Sequence, residues 1–343
     1  MPKQWIYRSR LGSFSLPVSS LLMLMGLLIL TALISMLSLS AGSTWLLPSE
    51  VINALMHSSS QAQSLVVETL RLPRVIMGLM VGAGLGCSGL ILQSVIRNPL
   101  ASPDVVGITS GASAAAVCFL SFFQLSLSMA WLPLFAIIGA VFAASLVYLL
   151  AWRGGVTPMR MILVGIGISA AMSAVTTFML ATGSVSGSLA AYIWLTGSIY
   201  GANWQDVQAL LPWLLLSLPC ALLFTRSINA QELGDNIAIG LGISIQKLRM
   251  ILVALSVLLA APVVAYAGAV GFVGLIAPHI ARRLVTRGFG LLMPASALVG
   301  GILVVLADLC ARMLFQPLDI PAGVFVSAIG APFFLYLLFR QRF

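Results

Sequence analysis

Repeated apolar runs of about twenty residues decide what this chain can become. The first, 21-LLMLMGLLILTALISMLSL-39, is followed by others along all 343 residues. In hydrocarbon every backbone N–H and C=O must be satisfied within the segment, so such runs form helices. They lack the two-residue alternation of an outer-membrane barrel strand. Charged residues make up only 7% of the chain, too few to solvate the surface of a soluble domain, which is about a quarter charged. The expected fold class is an all-α integral membrane protein with a single transmembrane domain over residues 1–343. Ten candidate spans can be marked, at 17–40, 74–96, 104–124, 131–151, 159–182, 207–226, 247–268, 270–285, 291–314 and 322–340. The first is longer than a signal-peptide core and has no small-residue cleavage site, so it reads as a retained helix. Residues 1–16 then form a cytoplasmic tail.

Charge orients these spans. With the N-terminus inside, the 17 Lys and Arg residues fall on the inner side except Arg71, Arg74 and Arg312. Both termini are therefore expected in the cytoplasm. The net charge of +9 is accounted for by these topogenic loops, and no basic stripe with interleaved aromatics suggests nucleic acid. Cys87, Cys118, Cys220 and Cys310 all lie in apolar runs without a CxxC pair, which points to core residues rather than a disulfide framework or a metal site.

The outer loops carry structure of their own. Ser49 is placed to cap a short helix over 48–57, with Glu50 in its first turn. The aromatic stretch 188–205, interrupted by Gly197 and Gly201, reads as a re-entrant or surface helix. Span two holds Gly78, Gly82 and Gly86 at four-residue spacing, which lets another helix approach closely, within the chain or across a subunit or pathway boundary. Gly165, Gly167, Ser169 and Ser173 in span five fit either tight packing or a polar pathway wall. Asp104, in 97-RNPLASPDVVG-107, is expected in the first turn of span three. Asp308 and Arg312 stand four apart, so they pair with each other or leave Arg312 for an external acid. His279 has no second His or carboxylate at ligand spacing and reads as a hydrogen-bonded interfacial residue.

The inner loop 227–249 is too polar to span. Leu233, Ile237, Leu241 and Ile245 recur every four residues, and two short helices are expected to meet at Gly240-Leu241-Gly242. Such a knuckle suits either a groove on a soluble partner or the bilayer surface. No GxxxxGK[ST] loop, GxSxG or HExxH occurs, so an energy source would sit on another polypeptide. No carboxylate stands clearly at mid-membrane, where an ion-coupled carrier would keep one. No catalytic pair supports an intramembrane enzyme.

RLPR before span two, RNPLASPDVVG, the ELGD…LGI loop, FVGLIAPHIAR, ADLCAR and IPAGVFVSAIGAPFFLYLL occur in one order over residues 45–340. This series resembles the permease subunits of bacterial ABC importers for iron–siderophore complexes, haem and cobalamin. Its flavour is nearer to the ferric-citrate and ferric-enterobactin members. The resemblance implies ten helices per subunit and a second permease subunit, a paralogue or an identical copy. It also implies two cytoplasmic ATPase subunits, a periplasmic binding protein and an inner-membrane location. Arg71, Arg74 and Arg312 would meet acids of the binding protein. Glu232, Leu233, Gly234, Asp235, Ala238, Gly240, Leu241 and Gly242 would couple to the ATPase, and spans two and five would line the pathway. No cofactor or bound metal is implied, and no bond of the substrate is broken.

Overall fold

The computed structural model describes residues 4–9, 12–286, 288–316 and 318–340. Lys3, Arg10, Arg287 and Arg342, counted above for orientation, lie outside them. A short antiparallel hairpin comes first, β1 (Gln4–Ser9) and β2 (Gly12–Pro17), with Trp5 opposite Leu16 and Tyr7 opposite Phe14. The alternation in 13-SFSL-16 is the strand period, which a search for spans passes over. Every regular element described after it is a helix.

The helices run in chain order. First come α1 (Val18–Ser40), α2 (Pro48–Leu55) and α3 (Gln61–Ser64), then a π-helical turn Leu65–Arg71 that leads into α4 (Leu72–Ile96). A 3₁₀ turn Pro103–Val106 precedes α5 (Ile108–Cys118), which continues as a π turn through Phe123. Next are α6 (Leu132–Leu150), α7 (Pro158–Thr182), α8 (Val185–Thr196) and α9 (Trp204–Leu223). The short pair α10 (Thr225–Glu232) and α11 (Asp235–Gly240) precedes α12 (Ile245–Ala267). Last come α13 (Val273–Leu284), α14 (Phe289–Leu314) and α15 (Ala322–Arg340). Among the described residues, seven helical stretches are long and apolar enough to cross a membrane, and Ile108–Phe123, Val185–Thr196 and Ala322–Tyr336 are shorter apolar helices.

Four expectations are corrected. The segment 270–285 is a half-length helix, α13, because Gly268 (φ 72°) and Phe272 (φ 63°) turn the chain first. Hydropathy runs unbroken through that turn and so cannot show it. The cap of α2 is Leu47, not Ser49: Pro48 takes the first helical position, and the Leu47 N–H donates to Glu50 Oε2 at 2.7 Å. Asp104 lies in the 3₁₀ turn, ahead of α5. Helices α10 and α11 meet at Gly234 (φ 127°), a backbone region that L side chains rarely adopt. Gly240-Leu241-Gly242 instead turns α11 toward α12.

Helix α4 is the axis of the core, with 83% of its most apolar window buried, against 11% for α7. It packs on α14, α12, α13 and α9. A Cβ on Gly82 would enter the Gly300 carbonyl, one on Gly300 would enter that of Gly82, and Gly89 meets the Gly274 carbonyl of α13 in the same way. Between α4 and α12, the buried Ser88 and Ser256 hydroxyls lie 2.7 Å apart.

Candidate functional site

The two ends of the bundle carry most of its charge. At the end away from the hairpin, three arginines converge. Arg71 closes the π turn and points back along the bundle. Its Nη1 donates to the carbonyls of Leu39 (2.7 Å) and Ser40 (3.0 Å), and its Nη2 to Thr44 O (2.6 Å). It is buried and satisfies carbonyls left open past the end of α1. One turn on, Arg74 forms a fork with Asp308 of α14: Nε lies 3.0 Å from both carboxylate oxygens and Nη2 lies 2.8 Å from Oδ1. The same Nη2 reaches Asp319 Oδ1 at 2.9 Å, and the guanidinium carbon sits 5.4 Å from the Tyr200 ring centroid. Asp308 is nearly closed off, with 4% of its side chain exposed, whereas Asp319 keeps 34%.

Arg312 turns to α1, donating from Nη2 to the Ser38 carbonyl and to Ser38 Oγ at 2.7 Å. Its Nε stands 3.8 Å from Asp308. The local i, i+4 pair is thus the looser one, and the tight pairing runs between α4 and α14. All three arginines bond within the chain, to partners that sequence spacing did not reveal: Ser38, Thr44, Asp319 and Tyr200. The one legible signal was Asp308 itself, an acid four residues from an arginine near a span end. Nearby, the Trp204 indole donates to the Glu68 carbonyl at 2.9 Å, joining the α9 entrance to the π turn.

The opposite end is built around the α10–α11 corner. Leu233, Ile237, Ile239 and Leu241 are exposed there, while Ala238 and Ile245 are buried. The acids of this loop bond back to the long helices. Ser94 Oγ of α4 donates to Glu232 Oε1 at 3.1 Å. Asp235 accepts from Arg97, which follows α4 in the left-handed conformation, and from Arg249 Nη2 of α12 at 2.7 Å. Burial, then the proximity of Arg249, hold the Arg97 guanidinium below its ordinary pKa. On α13, Arg282 donates to Gln93 Oε1 of α4 at 2.8 Å. His279 stands edge-on to Phe333, with centroids 5.7 Å apart.

The residues singled out for a pathway divide. Gly78, Gly82 and Gly86 all face α14 inside the chain. Gly165 of α7 lies against the Val105 carbonyl, and Ser169 Oγ donates to Asp104 O at 3.1 Å. Gly167 has open space around it, and Ser173 is exposed. The hydroxyls of Thr176, Thr177 and Thr182 bond back to carbonyls four residues earlier at 2.9, 3.0 and 2.9 Å. A cleft of about 440 Å³ between α6 and α12 is lined by apolar side chains with Ser145 and Tyr148. Among the described residues, no group of three or more His, Cys, Asp or Glu residues is placed to hold a metal ion.

A bundle with both ends clamped by arginines, and with an exposed apolar knuckle at one of them, can be compared with known proteins. Residues 27–340 match the model of the FecCD transport family. The chain belongs to that family. The achromobactin transport system permease of Dickeya dadantii is 53% identical over 315 residues, covering 92% of this chain and 90% of that one. The iron(3+)-hydroxamate import permease of Bacillus subtilis is 42% identical, covering 92% and 95%. The ferric enterobactin permease of Escherichia coli is 38% identical, covering 88% and 91%. A solved structure, the inward-facing conformation of a metal-chelate type ABC transporter, superposes with a TM-score of 0.82 at 30% identity over 94% of this chain and all of the other. The FecCD match takes in both charged clusters and leaves out the N-terminal hairpin.

Proposed function

We propose that this FecCD permease is the membrane subunit of an ATP-driven importer that moves an iron(III)–siderophore complex from periplasm to cytoplasm. The observation that carries the reading is the 53% identity over 92% of the chain to an achromobactin permease, alongside further siderophore and citrate permeases at 38–42%. The chain crosses the inner membrane with both termini in the cytoplasm. It uses ten membrane segments, of which α13 crosses only part of the way. A second permease subunit, taken here to be a paralogue, covers the exposed face of α7, and the pathway lies between them. Helix α4, enclosed by its own chain, serves as scaffold.

Two ATPase subunits power the importer, one of them seating the exposed apolar residues Leu233, Ile237 and Leu241 of this chain. A loaded binding protein docks at the arginine end. Arg71 and Arg312 hold the rim in shape. Arg74 is the group able to take a partner carboxylate, because Asp319, its half-exposed companion, can be exchanged for one. An arginine fork is suited to that exchange, since it stays charged and binds a carboxylate bidentately.

Uptake of radioiron tests the reading. Cells lacking the gene would be offered radioiron as achromobactin, enterobactin, hydroxamate and citrate chelates and as haem, and cobalamin labelled with radiocobalt. Wild type restoring one siderophore chelate supports the assignment. Restored uptake of haem or cobalamin alone moves the substrate elsewhere in the same architecture. Uptake that persists without ATP and collapses with the proton gradient would favour an ion-coupled carrier.

A further inference from the structure

Asp235 opens α11, yet it does not share the outward direction of its neighbours. Leu233, Ile237, Ile239 and Leu241 are exposed around it, and Gly234, at φ 127°, breaks the chain so that α11 starts in a new direction. The two oxygens of Asp235 go to different helices. Oδ1 accepts from Arg97 at the end of α4, and Oδ2 accepts from Arg249 of α12 at 2.7 Å. Arg249 is buried and gives its Nη1 to the Val156 carbonyl at 2.7 Å, in the turn between α6 and α7. Gln246, on the same helix, accepts from the Val156 N–H at 2.8 Å. One carboxylate therefore ties α4 and α12 to the knuckle and, through Arg249, the α6–α7 turn as well. It also stands between two guanidiniums that repel each other. Without it, Arg249 would remain a buried cation with only a carbonyl partner, an arrangement buried charges avoid.

We propose that Asp235 is a positioning residue that carries displacement of the knuckle to the membrane helices. The apolar residues seat in the ATPase, and the carboxylate passes their movement to α4, α12 and the α6–α7 turn. This rests on the reading of the knuckle as the ATPase contact and divides its residues between two tasks.

The test uses the complete importer in proteoliposomes, with both permeases, the ATPases and the binding protein. Radioiron is presented as the chelates that wild-type cells take up. For Asp235→Asn, the ATPase is expected to stay bound at wild-type stoichiometry and to keep hydrolysing ATP. Iron moved per ATP should fall at least about fivefold, the low end of ordinary coupling between sites. Asp235→Glu, which keeps the charge, should recover part of the ratio. Arg97→Gln, which removes one arm only, should lower it less and covers the case in which the Asp235→Asn permease does not fold into the membrane. An unchanged ratio in Asp235→Asn and Arg97→Gln overturns the proposal. So does loss of the ATPase from Asp235→Asn, since that would make Asp235 a direct contact. Leu241→Glu separates the two levels: if the ATPase still binds it, the knuckle reading fails whatever Asp235 does.

Discussion

Asp308 shows how far one carboxylate can organise an end of a bundle. It is nearly closed to solvent, receives the fork of Arg74 and lies 3.8 Å from Arg312. Removing one member of a buried ion pair leaves the other uncompensated, at a cost of about 3–5 kcal/mol. Asp308→Asn should therefore lower the unfolding temperature in detergent markedly. Asp319→Asn, on a partner that keeps 34% of its side chain exposed, should cost about 0–1 kcal/mol. Equal losses from the two would mean that burial does not set their weight. The sequence marked the arginines because they sat on the wrong side for topogenic charge. It could not show their partners, because Arg74 and Asp308 are 234 residues apart. Spacing favoured Arg312 for Asp308 because an i, i+4 rule sees one helix only. A competitor arriving from α4 is a tertiary fact.

Glycine spacing was legible at the element scale, and its target was not. Gly78, Gly82 and Gly86 announced a close neighbour, and the structure supplies α14 from the far end of the chain. Gly82→Ala should destabilise by about 1–3 kcal/mol through overpacking, because the Gly300 backbone has nowhere to yield. Gly167→Ala, with open space around it, should stay within about 0.5 kcal/mol of wild type in the isolated chain. Thermal unfolding of the two variants in one detergent compares them directly. Helix α13 marks the opposite limit. Its first residues continue the apolar run of α12, the left-handed turns at Gly268 and Phe272 divide the two, and Arg282 and Arg283 close its last turn. Composition carries no trace of a backbone dihedral at a phenylalanine.

For the whole molecule, the proposed function gives the two ends of the bundle separate roles, and the arginine end can be tested on its own. Docking of a binding protein through Arg74 should weaken as salt is raised from about 0.05 to 0.5 M, mainly through a slower association rate. Arg74→Lys keeps a charge for Asp308 and gives up the fork, so its association should be slower still at every salt concentration. Surface plasmon resonance on permease in nanodiscs reads both. A rate indifferent to salt and to the lysine variant would remove the arginine end from docking. The exposed face of α7 bears on biogenesis. Thr177 and Thr182, exposed there, have already spent their hydroxyls on their own helix, which lessens the polar demand that face makes on whatever lies beside it. A newly inserted chain should thus wait among lipids for its companion with few unmet donors on that face. On the proposed pairing with a second permease, the two chains then need not be translated in step.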